Sequence, residues 1–164
     1  MSLEILNHGR TKGQSRLLLS TFASGPDDFS SSIAIQGKHW VLFLAMDARP
    51  MSTIEISDIA NWALDQGAVY VCVWGPACER VHDIIDEVIV NRNPGETDED
   101  VIMTTWHDDE ALNEALWFAV NSAYPARAYE GTCETLVAIA VGNKDWESQI
   151  AKMLSESVSR NFLD

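Results

Sequence analysis

From residue 39 onward, a short apolar run and a longer amphipathic run alternate four times. The apolar runs are HWVLFLAM (39–46), AVYVCVW (68–74), DVIMTTW (100–106) and TLVAIAV (135–141). Three of these runs are nearly continuous and rich in β-branched and aromatic residues, which is typical of strands that are covered on both faces. DVIMTTW is the most polar of the four. Strand–helix alternation at this spacing predicts βαβ units and a mainly parallel sheet.

The expected architecture is an α/β three-layer sandwich, Rossmann-like or flavodoxin-like, with helices on both faces of the sheet. With the apolar runs numbered along the chain, we expect the strand order 2-1-3-4. Residues 39–164 then form a single α/β domain, and a chain of 164 residues suits one domain.

Residues 1–38 are predicted to be an N-terminal extension that is partly irregular. This segment is rich in Ser and Gly and carries two short apolar runs, RLLLSTF and SIAIQ. A turn at Gln36-Gly37-Lys38 would bring SIAIQ back against HWVLFL. We therefore expect an N-terminal hairpin or an extra strand.

The predicted helices have readable starts and stops. Ser52 and Glu55 have the spacing of a capping box at the start of the first helix, and Gly67 is placed to end it. Pro76 is expected at the first position of the second helix. Asp145 is expected to cap the fourth helix.

The stretch TTWHDDEALNEALWF (104–118) combines a histidine with three consecutive acids. If the preceding strand ends at Trp106, Asp108 is a preferred N-cap residue for the third helix. Asp109 and Glu110 then lie in the first turn, where the helix dipole stabilises negative charge. A metal or acid–base site is the alternative interpretation, although adjacent acids at a helix start point in different directions.

A second set of polar residues is placed by the predicted strand order. Ligands of open α/β sheets bind beyond the carboxyl ends of the strands, where the strand order reverses. In the order 2-1-3-4 this point lies between the first and third strands. The residues that leave those ends, and are the candidate catalytic residues, are Asp47, Arg49, His107 and Asp108. A histidine near a carboxylate can serve as a general base. Alternatively, Arg49 pairs with one of the aspartates and His107 is solvated.

The second helix carries a spacing that resembles a set of metal ligands. Cys78, His82 and Asp86 stand at i, i+4 and i+8. Eight helical residues span about 12 Å, which is too far for three ligands of one ion without outside help. The motifs GxGxxG, GxxxxGKS, GxxxxGKT and GxSxG are absent from the sequence. We therefore expect no metal and no cofactor.

The formal charge of −14 is unevenly distributed. Residues 1–40 hold four basic and three acidic residues, and the remainder holds seven basic against twenty-two acidic residues. Such a surface repels phosphate backbones, so we expect no nucleic-acid partner. No apolar run reaches the roughly 18 residues that span a bilayer, and we expect no membrane partner. The N-terminus lacks an apolar signal-peptide core. Three cysteines without CxxC spacing favour a cytoplasmic location.

Three aromatic residues lie off the apolar stripes of their helices. At about 100° per residue, Phe118 points nearly opposite the apolar stripe of the third helix and Trp117 lies on its flank. Trp62 lies well off the stripe of the first helix. Aromatic residues are enriched in interface cores. These three are therefore candidate interface residues, in a two-fold homodimer or against a protein partner. Alternatively, the N-terminal segment or the loop 124–134 folds over the rings.

Taken with the missing motifs and the acidic surface, these aromatics favour a small binding or regulatory module that acts through protein interaction. The alternative function is a small enzyme, a hydrolase or a nucleotide-like ligand binder. Its site would lie at the C-terminal edge of the first and third strands.

Overall fold

A computed structural model of the chain describes residues 3–11, 13 and 16–163, with side chains through residue 158. Residues 1, 2, 12, 14 and 15 of the predicted N-terminal extension, and residue 164, lie outside the described residues. The strands are β1 (Leu6–Arg10), β2 (Leu17–Ala23), β3 (His39–Ala45), β4 (Ala68–Trp74), β5 (Met103–Trp106) and β6 (Cys133–Val141). The helices are α1 (Thr53–Asp65), α2 (Cys78–Arg92), α3 (Leu112–Asn121) and α4 (Lys144–Leu163).

The six strands form one sheet in the order β1-β2-β6-β3-β4-β5. All neighbouring pairs are parallel except β1 and β2, so the predicted mainly parallel α/β sheet is confirmed. The predicted order 2-1-3-4 is wrong. In the same numbering the four runs have the order 4-1-2-3, because TLVAIAV lies beside HWVLFLAM and DVIMTTW lies at the edge. Burial explains this placement. β6 is almost entirely buried and suits an interior position, whereas the polar β5 keeps exposed side chains.

The N-terminal segment contributes two strands to the sheet. RLLLSTF forms most of β2, which pairs in parallel with β6 from Leu17 opposite Thr135 to Ala23 opposite Val141. β1 pairs with β2 in the antiparallel direction. The predicted pairing of SIAIQ with HWVLFL is wrong, since residues 33–36 are in no strand. β3 has β4 on one side and β6 on the other, so it offers no free edge to SIAIQ.

The helices cover both faces of the sheet. One apolar core contains side chains of α1 and α2, and a second core, on the opposite face, contains side chains of α3 and α4. This arrangement places the βα junctions, and therefore the candidate catalytic residues, at the carboxyl edge of the parallel strands. Among the described residues, the structure contains no helix with the length and apolar character needed to cross a membrane.

Several helix ends follow the sequence signals and others do not. The capping box at Ser52 is confirmed: its Oγ accepts from the Glu55 N–H at 3.1 Å, and its own N–H donates to Glu55 Oε1 at 2.9 Å. The predicted cap at Asp145 is wrong, because Asn143 Oδ1 accepts from the Trp146 N–H at 3.0 Å. Pro76 precedes the N-cap of α2 instead of opening the helix.

Candidate functional site

The first two predicted site residues form a local ion pair. Arg49 donates from Nη2 to Asp47 Oδ2 at 2.7 Å and from Nε to Asp47 Oδ1 at 3.0 Å. Hydrogen bonding from Arg49 holds the pKa of the Asp47 carboxyl below its usual range. Both side chains are solvent-exposed, so the pair satisfies itself at the surface just after β3.

The other two predicted site residues leave β5 and do not meet this pair. β4 lies between β3 and β5, so the two strand ends are not neighbours. A shallow cavity contains His107 and Asp108, and its other walls come from Trp74–Glu79, Asp109 and Glu110. Asp47 and Arg49 do not line it. The convergence of four residues depended on the predicted strand order, and the observed order separates them.

His107 is a buried bridge between β5 and α3. Its side chain is only 6% exposed, and its ring packs against Phe118 with 4.9 Å between ring centroids. Nδ1 lies 2.6 Å from Glu110 Oε2, and Nε2 lies 2.9 Å from Thr105 Oγ1. Both ring nitrogens are therefore engaged inside the fold, and His107 is neither solvated nor near Arg49.

The predicted N-cap at Asp108 is wrong. α3 begins four residues later, at Leu112, after an N-cap at Ala111 that makes no side-chain hydrogen bond. Asp109 has a left-handed φ of 59°, which turns the chain before the helix starts. The third acid of the run, Glu110, binds His107. Of the three acids, Asp108 and Asp109 are left exposed.

The cysteines have the properties of core residues. All three are free and buried. Burial raises the pKa of Cys72 to about 12 and that of Cys133 to about 11, and it also raises the pKa of Cys78. Cys78 shares the cavity wall with His107, but a thiol that is held protonated is a poor nucleophile. The described residues contain no group of three His, Cys, Asp or Glu side chains arranged to hold a metal ion.

The outer edge of β5 presents backbone groups that pair with no other strand of the described sheet. The His107 N–H donates to the Val73 carbonyl oxygen at 3.0 Å, and Val73 lies opposite Trp106 in the register. Consecutive residues of a strand direct their backbone groups to opposite sides, so the N–H and C=O groups of Thr104 and Trp106 point away from β4. β5 ends the sheet, and no other described strand meets these groups.

The side chains along this edge are unusually apolar for an exposed position. Trp106 is 41% exposed and Met103 is 37% exposed. On the α2 side, the Trp106 ring lies 4.4 Å from the His82 ring, centroid to centroid, and Thr104 Oγ1 donates to Asp86 Oδ1 at 2.6 Å. We call the open backbone of β5, together with the side chains of Met103, Thr104 and Trp106, the β5 edge.

The sequence around the β5 edge carries most of the negative charge of the protein. Residues 79–114 contain twelve acidic residues, two arginines and no lysine, a net charge of −10 within a total of −14. Both arginines bind toward α1: Arg80 donates to the Ala48 carbonyl oxygen at 3.2 Å, and Arg92 donates to Asp65 at 2.7 Å. The exposed acids are Glu79, Asp83, Asp86, Glu87, Asp98, Glu99, Asp108, Asp109 and Glu114.

The three predicted interface aromatics have different environments. Trp62 is buried, packs edge-on against Phe29 with 5.2 Å between centroids, and donates from Nε1 to the Ser31 carbonyl oxygen at 2.7 Å. The N-terminal segment before β3 folds over this ring, as the alternative interpretation expected. Phe118 is half-buried against His107 and Tyr70. Trp117 is 62% exposed.

The sequence does hold a signal for the β5 edge, although it is not a catalytic motif. DVIMTTW is the most polar of the four runs, and polar runs suit edge strands. Acidic residues flank this run on both sides. Together, the polar strand and its acidic surroundings mark an exposed sheet edge.

Comparison with known families places the chain in one of them. A family model described as a domain of unknown function (DUF7684) matches residues 19–157. The match covers most of the sequence, and the chain belongs to this family. No curated protein matches the chain.

Proposed function

We propose that this member of the DUF7684 family is a protein-binding domain that takes an extended segment of its partner as an added strand beside β5. The observation that carries the proposal is the β5 edge, with its outward backbone groups next to an exposed tryptophan. Strand addition is a recurring mode of peptide recognition, in which main-chain hydrogen bonds supply affinity and flanking side chains supply specificity.

The local geometry supports this mode of binding. The outward N–H and C=O groups of Thr104 and Trp106 offer two donors and two acceptors to an incoming strand. Trp106 provides the kind of large aromatic surface that interfaces enrich. Proteins also protect edge strands by keeping them short and charged. Protection alone would not require two exposed apolar side chains, Met103 and Trp106, on one short strand.

The small-enzyme alternative has less support. Asp47 and Arg49 pair with each other at one strand end, and His107 is enclosed between Thr105 and Glu110 at another. A general base needs a path to its substrate. His107 is 6% exposed and has both ring nitrogens engaged. Three buried, free cysteines support a reducing compartment, and we propose a cytoplasmic location for the domain.

A two-fold homodimer through α3 is a second proposal, and it rests on Trp117. This ring is 62% exposed and borders a groove between α3 and α4 whose walls include Leu116 and Met153. An isologous interface would place the same ring from both copies near the symmetry axis. Light scattering on the wild type and on Trp117→Ala tests this dimer.

Strand addition is tested by a backbone substitution. Thr104→Pro removes the outward N–H of residue 104, whereas the bonds to β4, made by residues 103, 105 and 107, remain. Thr104→Val is the matched control, because both variants lose the hydroxyl that binds Asp86. The probes are synthetic peptides of roughly nine residues with alternating β-branched positions, long enough to exceed β5.

The readout is the amide NMR spectrum of the ¹⁵N-labelled protein. We expect the amide signals of residues 104 and 106 to shift with peptide in the wild type and in Thr104→Val. In Thr104→Pro, whose folding is checked by circular dichroism, the Trp106 amide should stay unshifted. Equal binding by the proline and valine variants would refute pairing at this edge.

A further inference from the structure

We infer that the partner segment is basic, with Lys or Arg at the alternate positions that face α2 and apolar residues at the positions between them. This inference rests on the proposed strand addition and specifies its ligand. The juxtaposition that carries it is Trp106 and Asp86 on one side of the open edge and Met103 on the other.

The face toward α2 is suited to a cation. Thr104 and Trp106 share this face, as their contacts with Asp86 and His82 show. Every second side chain of an added strand would lie on the same face. A Lys or Arg there would reach the exposed Trp106 ring, where cation–π attraction operates within about 6 Å of the ring centroid.

Carboxylates complete this face. Asp86 is exposed and lies next to Thr104, and Asp83 is exposed and lies 3.0 Å from His82 Nδ1. His82 is the basic side chain that contacts both aspartates, at 3.0 and 3.6 Å. Because Arg80 and Arg92 bind toward α1, neither of them neutralises this face, and an incoming Lys or Arg would find carboxylates to pair with.

The face toward α3 has a different character. Met103 shares it with Thr105, whose hydroxyl binds His107, and His107 packs against Phe118. An added strand would therefore place its other side chains beside Met103. An exposed thioether adapts to varied apolar neighbours. The strand that fits both faces alternates basic with apolar residues.

Charge also argues against a second copy of this chain as the occupant. Pairing β5 with the β5 of another copy would bring together two segments that each carry a net charge of −10. Like charges across an interface are unfavourable, and opposite charges steer encounter and select the partner. A basic segment of a different protein satisfies the charge and uses the same backbone groups.

The inference is tested with three peptides of roughly nine residues that share the same Val and Thr positions. Their remaining positions are all Lys, all Gln or all Glu. Dissociation constants are measured by calorimetry at low and high salt, and the Thr104 and Trp106 amides are followed by NMR. We expect the Lys peptide to bind at least roughly tenfold more tightly than the Gln peptide, and the Glu peptide more weakly than either. The advantage should shrink as salt screens it.

Matched charge variants locate the effect. Asp83→Asn combined with Asp86→Asn removes two charges beside the β5 edge, and Asp58→Asn combined with Glu156→Gln removes two from α1 and α4. We expect the first pair to weaken binding of the Lys peptide roughly three- to tenfold and the second pair to change it less than roughly twofold. Equal losses from both pairs would overturn a local role for these aspartates.

The results distinguish a failure of the basic ligand from a failure of strand addition. If the Gln peptide shifts the same amides with equal affinity, the basic ligand is refuted and strand addition stands. If no peptide shifts the Thr104 and Trp106 amides, strand addition itself fails. Peptide-free shifts at these amides that grow with protein concentration would identify a second copy as the occupant and overturn the inference.

Discussion

Arg16, immediately before β2, donates from Nη2 to the carbonyl oxygen of Ala123 at 3.0 Å, just beyond the end of α3. Nη1 of the same guanidinium donates to the carbonyl oxygens of Ala119 at 2.8 Å and Val120 at 3.2 Å. The last carbonyls of a helix have no partner within it, and positive charge is favourable there. A buried arginine from the N-terminal segment thus caps the C-terminal end of α3.

Replacing this arginine should destabilise the fold. In Arg16→Met, the three carbonyl oxygens lose a buried, charged donor, and we expect the free energy of unfolding to fall by about 2–4 kcal/mol. Urea unfolding measures the change. The control is Arg49→Met, which removes an exposed arginine whose partner, Asp47, is solvated. It should leave the unfolding midpoint unchanged, and a similar loss in both variants would contradict the capping role of Arg16.

Gly75 should be intolerant of any side chain. Its φ is +122°, and a Cβ there would collide with the carbonyl oxygen of Met46, where the chain leaving β4 passes the end of β3. We expect Gly75→Ala to cost roughly 2–4 kcal/mol, from strain and the displaced backbone. Gly95→Ala is the control, since a Cβ on Gly95 would have no neighbouring atom within 4 Å. Thermal unfolding of Gly75→Ala at the wild-type temperature would refute the close approach.

The cysteines should resist thiol reagents in the folded protein. Burial raises the pKa of Cys72 to about 12 and that of Cys133 to about 11. Thiolate is the reactive form, so at about pH 8 we expect no rapid reaction with Ellman's reagent. Addition of guanidinium should release all three thiols. Cys133, which borders a surface cavity, should react first under partial destabilisation. Immediate labelling of Cys72 would show that the core is open.

Two histidines should make stability fall in mild acid. Burial lowers the pKa of His8, and burial together with Lys38 lowers that of His39. The unfolded chain, with histidine pKa near 6.5, binds protons first. The stability that these two neutral histidines contribute is therefore fully present above about pH 6.5. It is lost as the pH falls toward their folded-state pKa.

Variants assign this acid response. His8 contacts Ser20 Oγ at 2.7 Å and Ser155 Oγ at 3.1 Å. We expect His8→Gln, measured by urea unfolding between about pH 7.5 and 5, to show a flatter profile than the wild type. The control is Lys152→Gln, at an exposed position of α4, and it should keep the wild-type slope. If the free energy of unfolding of His8→Gln depends on pH as strongly as that of the wild type, His8 does not cause the loss of stability in acid.

The α3 homodimer is tested by light scattering. If Trp117 forms the interface, the wild type should dimerise with increasing concentration and Trp117→Ala should remain monomeric. Ile54→Ala is a matched control, because it removes another exposed apolar side chain, on α1. A wild type that stays monomeric would eliminate the homodimer. A dimer that persists in Trp117→Ala would place the interface elsewhere.

Local sequence signals predicted the elements well. The apolar runs became strands, and the reciprocal bonds of Ser52 and Glu55 followed from residues three positions apart. Such signals are local because each cap is satisfied within one turn. The predicted N-cap at Asp108 was wrong, because Glu110 binds His107 and the helix begins later, at Leu112.

Strand order and the candidate site depended on contacts between distant residues. The pairing of Leu17 with Thr135 placed β6 next to β3 and moved β5 to the edge. Periodicity in the sequence reports which face of an element is buried but not which strands are neighbours. The separation of Arg49 from His107 follows from that one topological difference. The burial of Trp62 likewise depended on a segment without periodicity.

The pairing of β2 with β6 has a consequence for how the chain is made. β2 is apolar at five of its seven positions, and it is synthesised 118 positions before its parallel neighbour, as the match of Leu17 with Thr135 shows. At a translation rate of about 5–20 residues per second, roughly 6–24 s separate the synthesis of β2 from that of its partner β6. Over this interval the nascent strand is available to chaperones and to other nascent chains. If synthesis stopped before residue 133, the released fragment would lack β6. One edge of the apolar strand β2 would then be unpaired, and the fragment would be prone to aggregation.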